Sequence, residues 1–165
     1  MGERPMRWEE FARSAPVLAE LGEERFERTG LCLVGTLRRD GFPRISPVEP
    51  YVVHGELLLG MMPQSRKALD LLRDARVLVH SVTCNREGTE GDFKLYGRAV
   101  EARDAGMRTA YADATEARID WRPTEPFHLF CVAIESAGFV VFQPEAYGLT
   151  WTRSAGLRRF PMPAG

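Results

Sequence analysis

Met61-Met62-Pro63-Gln64-Ser65-Arg66-Lys67-Ala68 is the stretch on which the fold turns. An apolar run, Leu57 to Met62, ends there in a Pro-containing turn, and Ser65 stands where a helix N-cap belongs. Beyond it Ala68, Leu69 and Leu72 share one face at helical spacing, while Arg66, Asp70 and Arg73 point elsewhere. A helix start offers unpaired N–H groups and a partial positive charge to an anion. A hydroxyl, a guanidinium fork and an ammonium in three consecutive residues suit a phosphate. The same letters also describe a capped helix with two solvated basic residues.

Upstream, Leu31 to Leu37 is an apolar run closed by Arg39-Asp40-Gly41, a hairpin signal. A second strand is expected from Pro43 to Val53, and His54-Gly55-Glu56 turns into a third, Leu57 to Met62. Pro47 and Pro50 inside the second strand demand an edge, a bulge or a bend. Downstream, Arg76 to Cys84 and Asp92 to Ala102 read as strands around a polar loop, followed by a helix from Asp104 to Ala117. Phe127 to Glu135 and Phe139 to Phe142 read as two strands divided by Ala137-Gly138. The first 30 residues read as helix, with Trp8, Phe11 and Ala12 on one face and Val17, Leu18 and Leu21 continuing the stripe beyond Pro16. No repeat or linker divides residues 1–165, so one domain is expected, mainly β with short helices. Six or seven antiparallel strands of this kind suggest a small split barrel.

The bulk chemistry narrows the function. Twenty-two basic and 23 acidic residues leave a net charge of −1, so no global field recruits nucleic acid. Lys67 and Lys94 are the only lysines, an arginine bias expected of a high-GC bacterial source. No apolar run reaches the roughly 18–20 residues that span a bilayer, and the charged N-terminus does not read as a signal peptide. Cys32, Cys84 and Cys131 are far apart within apolar stretches, and with His54, His80 and His128 they show no metal-ligand spacing. The expectation is a cytoplasmic, metal-free protein with buried thiols.

From Leu31 to Val100, about 70 residues, the chain resembles the pyridoxamine 5′-phosphate oxidase superfamily of flavin-binding split barrels. Ser65-Arg66-Lys67-Ala68 reproduces the strand-turn-helix segment that grips the FMN phosphate in that family. Arg44-Ile45-Ser46-Pro47-Val48 occupies the place of the strand that runs along the flavin. Asp74-Ala75-Arg76-Val77 matches the helix exit, and Asp92 to Ala99 matches the strand that ends in Gly-Arg-Ala.

The resemblance implies a flavin site drawn from Arg44, Ile45, Ser46, Met61, Ser65, Arg66, Lys67, Asp92, Lys94 and Trp151. It implies FMN as cofactor, a homodimer with the cofactor between subunits, and hydride exchange with a small molecule. Ile45, opposite Arg44 and Ser46 by strand alternation, is expected to reach the barrel core. Lys94, Tyr96 and Trp151 are candidates to face the substrate. The deazaflavin F420 is the alternative cofactor, with Arg38, Arg39 and Arg73 available for its polyglutamate tail. A flavin carrier or sensor is the alternative to an oxidoreductase. True pyridoxamine-phosphate oxidases carry an Arg-x-His pair near the C-terminus and a Gln where Asp92 stands; the stretch from Leu149 to Phe160 has no His. Oxidation of that vitamer is therefore not expected.

Overall fold

The computed structural model describes residues 4–162. Two helices, α1 (Trp8–Ser14) and α2 (Pro16–Thr29), precede the strands β1 (Cys32–Leu37), β2 (Pro43–Val48), β3 (Pro50–Val53) and β4 (Glu56–Met61). Then follow α3 (Arg66–Arg73), β5 (Arg76–Ser81), β6 (Asp92–Glu101), α4 (Ala105–Ile119), β7 (His128–Val141), β8 (Tyr147–Thr152) and β9 (Gly156–Pro161). All pairings are antiparallel, and the main path runs β2-β1-β5-β6-β7-β4-β3, with β8 and β9 extending from β7.

The two ends of that path, β2 and β3, are separated in the chain by Glu49 alone. A flat sheet cannot place its opposite edges one residue apart, so the sheet curls round until they meet. They meet without forming a ladder, because the β2 and β3 edges are not hydrogen-bonded to each other. Pro47 lies on the terminal strand and Pro50 opens β3, both positions where a missing N–H costs nothing. The result is an open, split barrel.

Nine strands are present where six or seven were expected, the net of one break, one merger and a two-strand hairpin in the tail. The strand from Pro43 breaks at Glu49. Ala137 and Gly138 do not interrupt β7, which runs unbroken for 14 residues with Ala137 paired to Leu95 and Trp151. The tail folds into the β8–β9 hairpin, whose strand-turn pattern was hidden among arginines.

The core lies inside the curl and under the helical hairpin. Trp8 and Phe11 pack edge-on (5.3 Å between ring centroids), and Phe26 meets Phe93 at 5.7 Å. Leu18 is buried as expected, whereas Val17 points outward. Cys32 is buried, Cys131 partly so, and Cys84 is exposed because β5 ends at Ser81 and leaves it in the following loop. Burial pushes the Cys131 thiol up to about 11.

On β7, Glu135 is an extra residue between the partners of Tyr96 and Gly97, a β-bulge that bends the long strand. A Cβ at Gly97 would lie 2.1 Å from the Ala133 carbonyl oxygen, so the bulge needs glycine opposite it. Gly97→Ala is expected to lower stability by ~1–3 kcal/mol, as overpacking does. Urea unfolding measures it; an unchanged midpoint would show that the bulge relaxes at no cost.

Candidate functional site

The turn before α3 is built by its sequence. Ser65 N–H donates to the Met62 carbonyl at 3.2 Å, Pro63 takes the second position, and Gln64 sits at φ 57° in the third. Leu69 N–H makes the first helical bond to the Ser65 carbonyl at 3.0 Å. The amides of Arg66, Lys67 and Ala68 therefore precede the helix's own ladder. Ser65 has extended backbone, as an N-cap requires, yet its hydroxyl makes no cap bond. That Oγ is buried and has no partner among the described residues. Nor do the side chains of Arg66 and Lys67 have a hydrogen-bond or ion-pair partner among the described residues. One orphaned hydroxyl, two uncommitted cations and three forward-pointing amides converge at one helix end. An anion with several acceptor oxygens, such as a phosphate monoester, meets all of these donors.

Arg44 joins this helix through an acid. Asp70, buried on α3, accepts from Arg44 Nε at 2.7 Å, Thr36 Oγ1 at 3.0 Å and Arg73 Nη1 at 3.3 Å. Burial pushes the Asp70 carboxyl up, but these three donors outweigh it and hold it below the ordinary carboxylate range. Asp70 thus faces inward with Ala68 and Leu71, while Leu69 and Leu72, expected inside, are partly exposed. The reading by apolar spacing missed Asp70. The signal was a lone acid one turn after two basic residues, with Arg44 upstream on the strand assigned to the flavin.

Register fixes the remaining candidates. Arg44 pairs with Thr36 and Ser46 with Val34, so both face the α3 side of the sheet. Ile45 does face the opposite way, but it is 67 % exposed and not in the core, because β2 is a terminal strand and nothing in one chain covers its outer face. Met61 is buried at the end of β4, just before the turn.

Asp92 and Lys94 lie on the outer face too, where Asp92 Oδ2 accepts from Lys94 Nζ at 2.6 Å and meets His80 Nε2 at 3.1 Å. His80 is thereby placed on the outer face beside Lys94, its neighbour across the β5–β6 ladder. Trp151 is the clear displacement: it is 2 % exposed and packs edge-on against Phe11 at 5.0 Å, a core residue rather than a lid. Strand alternation turned it inward while Thr150 and Thr152 face out.

No protein-family profile and no curated protein sequence matches the chain. Solved structures do. A protein from Clostridium acetobutylicum related to general stress protein 26 of Bacillus subtilis, described as of the pyridoxinephosphate oxidase family, superposes with a TM-score of 0.64 at 17% identity. The match covers 84% of this chain and 96% of that one. PhzG from Burkholderia lata, in complex with tetrahydrophenazine-1-carboxylic acid, gives 0.59 at 14% identity, covering 90% and 92%. HutZ, the heme storage protein of Vibrio cholerae, gives 0.58 at 17%, covering 79% and 92%.

The fold is the pyridoxamine-phosphate-oxidase-like split barrel. In this split barrel the Arg44–Asp70 pair ties a terminal strand to the helix that carries Ser65, Arg66 and Lys67.

Its pH dependence has a defined sign. The folded carboxyl of Asp70 titrates below its unfolded value, so its contribution is complete above roughly pH 4 and is lost as the pH falls through the lowered folded value. Asp70→Asn is expected to cost ~1–3 kcal/mol at pH 7, since it leaves Arg44 and Thr36 with a weaker acceptor. The gap between wild type and variant in urea unfolding should shrink from pH 5 towards pH 2. A gap independent of pH would show that the charge of Asp70 carries none of it.

Proposed function

We propose that this protein binds FMN through its phosphate at the α3 N-terminus and works as a flavin-dependent oxidoreductase on a small molecule. The observation that carries the reading is the buried, partnerless Oγ of Ser65 beside two uncommitted cations. Ser65, Arg66, Lys67 and the amides of the first turn hold the phosphate. Arg44, oriented by Asp70, supports them from β2, with Ser46 on the same face. When bound, FMN supplies the hydride chemistry; the protein's part is binding, orientation and exclusion of water.

Two other readings are less well supported by the side chains. The basic residues considered for an F420 tail are largely committed: Arg38 pairs with Asp40 at 2.7 Å, and Arg73 donates to Asp70 and to the Leu37 carbonyl. HutZ stores heme by its name, but a heme would find both ring nitrogens of His80 already engaged, by the Ser81 carbonyl at 2.6 Å and by Asp92.

The outer face of the sheet supports a homodimer. Ile45 and Tyr96, the latter 49 % exposed, flank an apolar depression of about 390 Å3 floored by Gly35 and Leu78. A twofold partner covers such a face and brings its own outer-face residues, Asp92 and Lys94 among them, towards the β2 edge.

Three outcomes are expected. Lys67→Ala and Arg66→Ala should each weaken FMN binding by ~1.5–3 kcal/mol, the range for a hydrogen bond to a charged group, while riboflavin binding stays as in wild type. Calorimetric titration measures this, and equal losses for both ligands would refute the phosphate assignment. Absorbance of the purified protein gives flavin bands on this reading, and a Soret band would replace it with heme. Ile45→Glu should convert dimer to monomer in light scattering and weaken FMN binding by mass action. A monomer that retains full FMN affinity would overturn the shared site.

A further inference from the structure

The split in the barrel opens onto a cavity that the phosphate site does not use. Glu49, the one residue between β2 and β3, stands at the rim of a space of about 530 Å3. Tyr111 of α4 and Trp121 and Phe127 of the following loop line it, with Met62 from the turn before α3 and Glu125 from the same loop. The size falls in the range of small-molecule sites. Its floor is closely packed: a Cβ at Gly60 would come within 1.9 Å of the Tyr111 hydroxyl, so only glycine admits that ring. Tyr111 is held edge-on to Tyr51 at 5.4 Å and lies 5.6 Å from Phe127. Two large side chains remain open to solvent around the cavity, Trp121 (57 %) and Met62 (73 %).

Charge decides what such a space accepts. No Lys or Arg lines it. Of its two carboxylates, Glu125 is gripped by Arg108 at 2.7 Å from each oxygen. Arg108 in turn stacks on the Phe127 ring at 4.3 Å, which fixes the loop. Glu49 is exposed and has no hydrogen-bond or ion-pair partner among the described residues. The cavity is an aromatic box with one uncommitted anion at its rim. Aromatic faces attract cations, and a free carboxylate accepts a charge-assisted hydrogen bond from an amine. A phosphate or carboxylate entering the same space finds no cation and a repelling Glu49.

We infer that this cavity is the substrate pocket and that it selects planar aromatic or heteroaromatic compounds bearing an amino or ammonium group, against phosphorylated or carboxylated ones. It rests on the flavin reading for the word substrate, because Met61, Met62 and Pro63 form one of its walls and lead directly to Ser65. The charge selectivity stands on the cavity alone.

The test uses two probes of similar shape, 4-(aminomethyl)quinoline, an ammonium at pH 7, and quinoline-4-carboxylate, titrated into the purified full-length protein with whatever cofactor it carries. Trp8 and Trp151 are buried, so quenching of tryptophan fluorescence reports chiefly on Trp121. The cation is expected to bind about tenfold or more tightly than the anion. Glu49→Gln, a change at an exposed connecting residue, should bring that ratio close to one. Trp121→Leu should weaken both probes and abolish the quenching. Equal or tighter binding of the anion, a ratio unmoved by Glu49→Gln, or no binding of either probe at millimolar concentration overturns the inference. The flavin reading fails separately, if wild type shows no preference for FMN over riboflavin or Lys67→Ala weakens both alike; a surviving preference for the cationic probe then leaves a cation-selective pocket without the phosphate site.

Discussion

The one-residue connection at Glu49 is the constraint from which the rest of this structure follows. Strands at opposite ends of a seven-strand path are consecutive in the chain, so the sheet is obliged to curl. Twist alone gives a sheet its tendency to coil; the short connection sets where the coil ends. The single residue between the two strands is too short for a turn that would pair them, and the barrel stays split at that point. The opening is therefore a product of chain connectivity, and Glu49 at the connection also lines the aromatic cavity.

Near this opening the chain distributes its positive charge unevenly. Arg44 and Arg73 are spent on Asp70, Arg76 on Asp74 and Arg108 on Glu125. Arg66 and Lys67, at the end of a helix where cations are least welcome, are left without partners among the described residues. Had the role of α3 been only to cover the sheet, an acid in its first turn would have stabilised it; none is present. Asp70 sits instead one turn further on and faces inward, where it fixes β2 against the helix without neutralising the helix start. The two features are complementary: Asp70 provides rigidity, and the helix start keeps its donors available to an anion.

Much of this was legible in the residues. The hairpin at Gly41, the N-cap position of Ser65, the helices before residue 30 and the strand break between Pro47 and Pro50 are signalled by local chemistry, and each is found. What failed did so where local chemistry is silent about the third dimension. Ala137-Gly138 has the letters of a turn, but two small residues also let β7 pass flat between β6 and β8. Trp151 has the bulk of a lid and the strand parity of a core residue; parity prevailed. Ile45 was assigned to the core by alternation, which gives its side but not whether that side is covered. Asp70 was placed off the apolar face because a buried acid is recognisable only once its three donors, from β1, β2 and α3, are known to converge on it.

The outer face carries that last lesson further. Its centre is apolar around Ile45, Leu78 and Tyr96, and its margin holds the Lys94–Asp92–His80 group. In one chain these three side chains are about a quarter exposed, and a partly solvated ion pair contributes little. In the proposed dimer, a second copy laid over the centre would remove water from the margin as well. Desolvation then makes the Lys94–Asp92 pair costly unless its geometry is kept, so the pair penalises every docking register but the one that leaves it intact. The apolar centre supplies attraction without direction, and the polar margin supplies direction. An interface built this way would have a defined twofold register, which the proposed cofactor cleft between two chains requires.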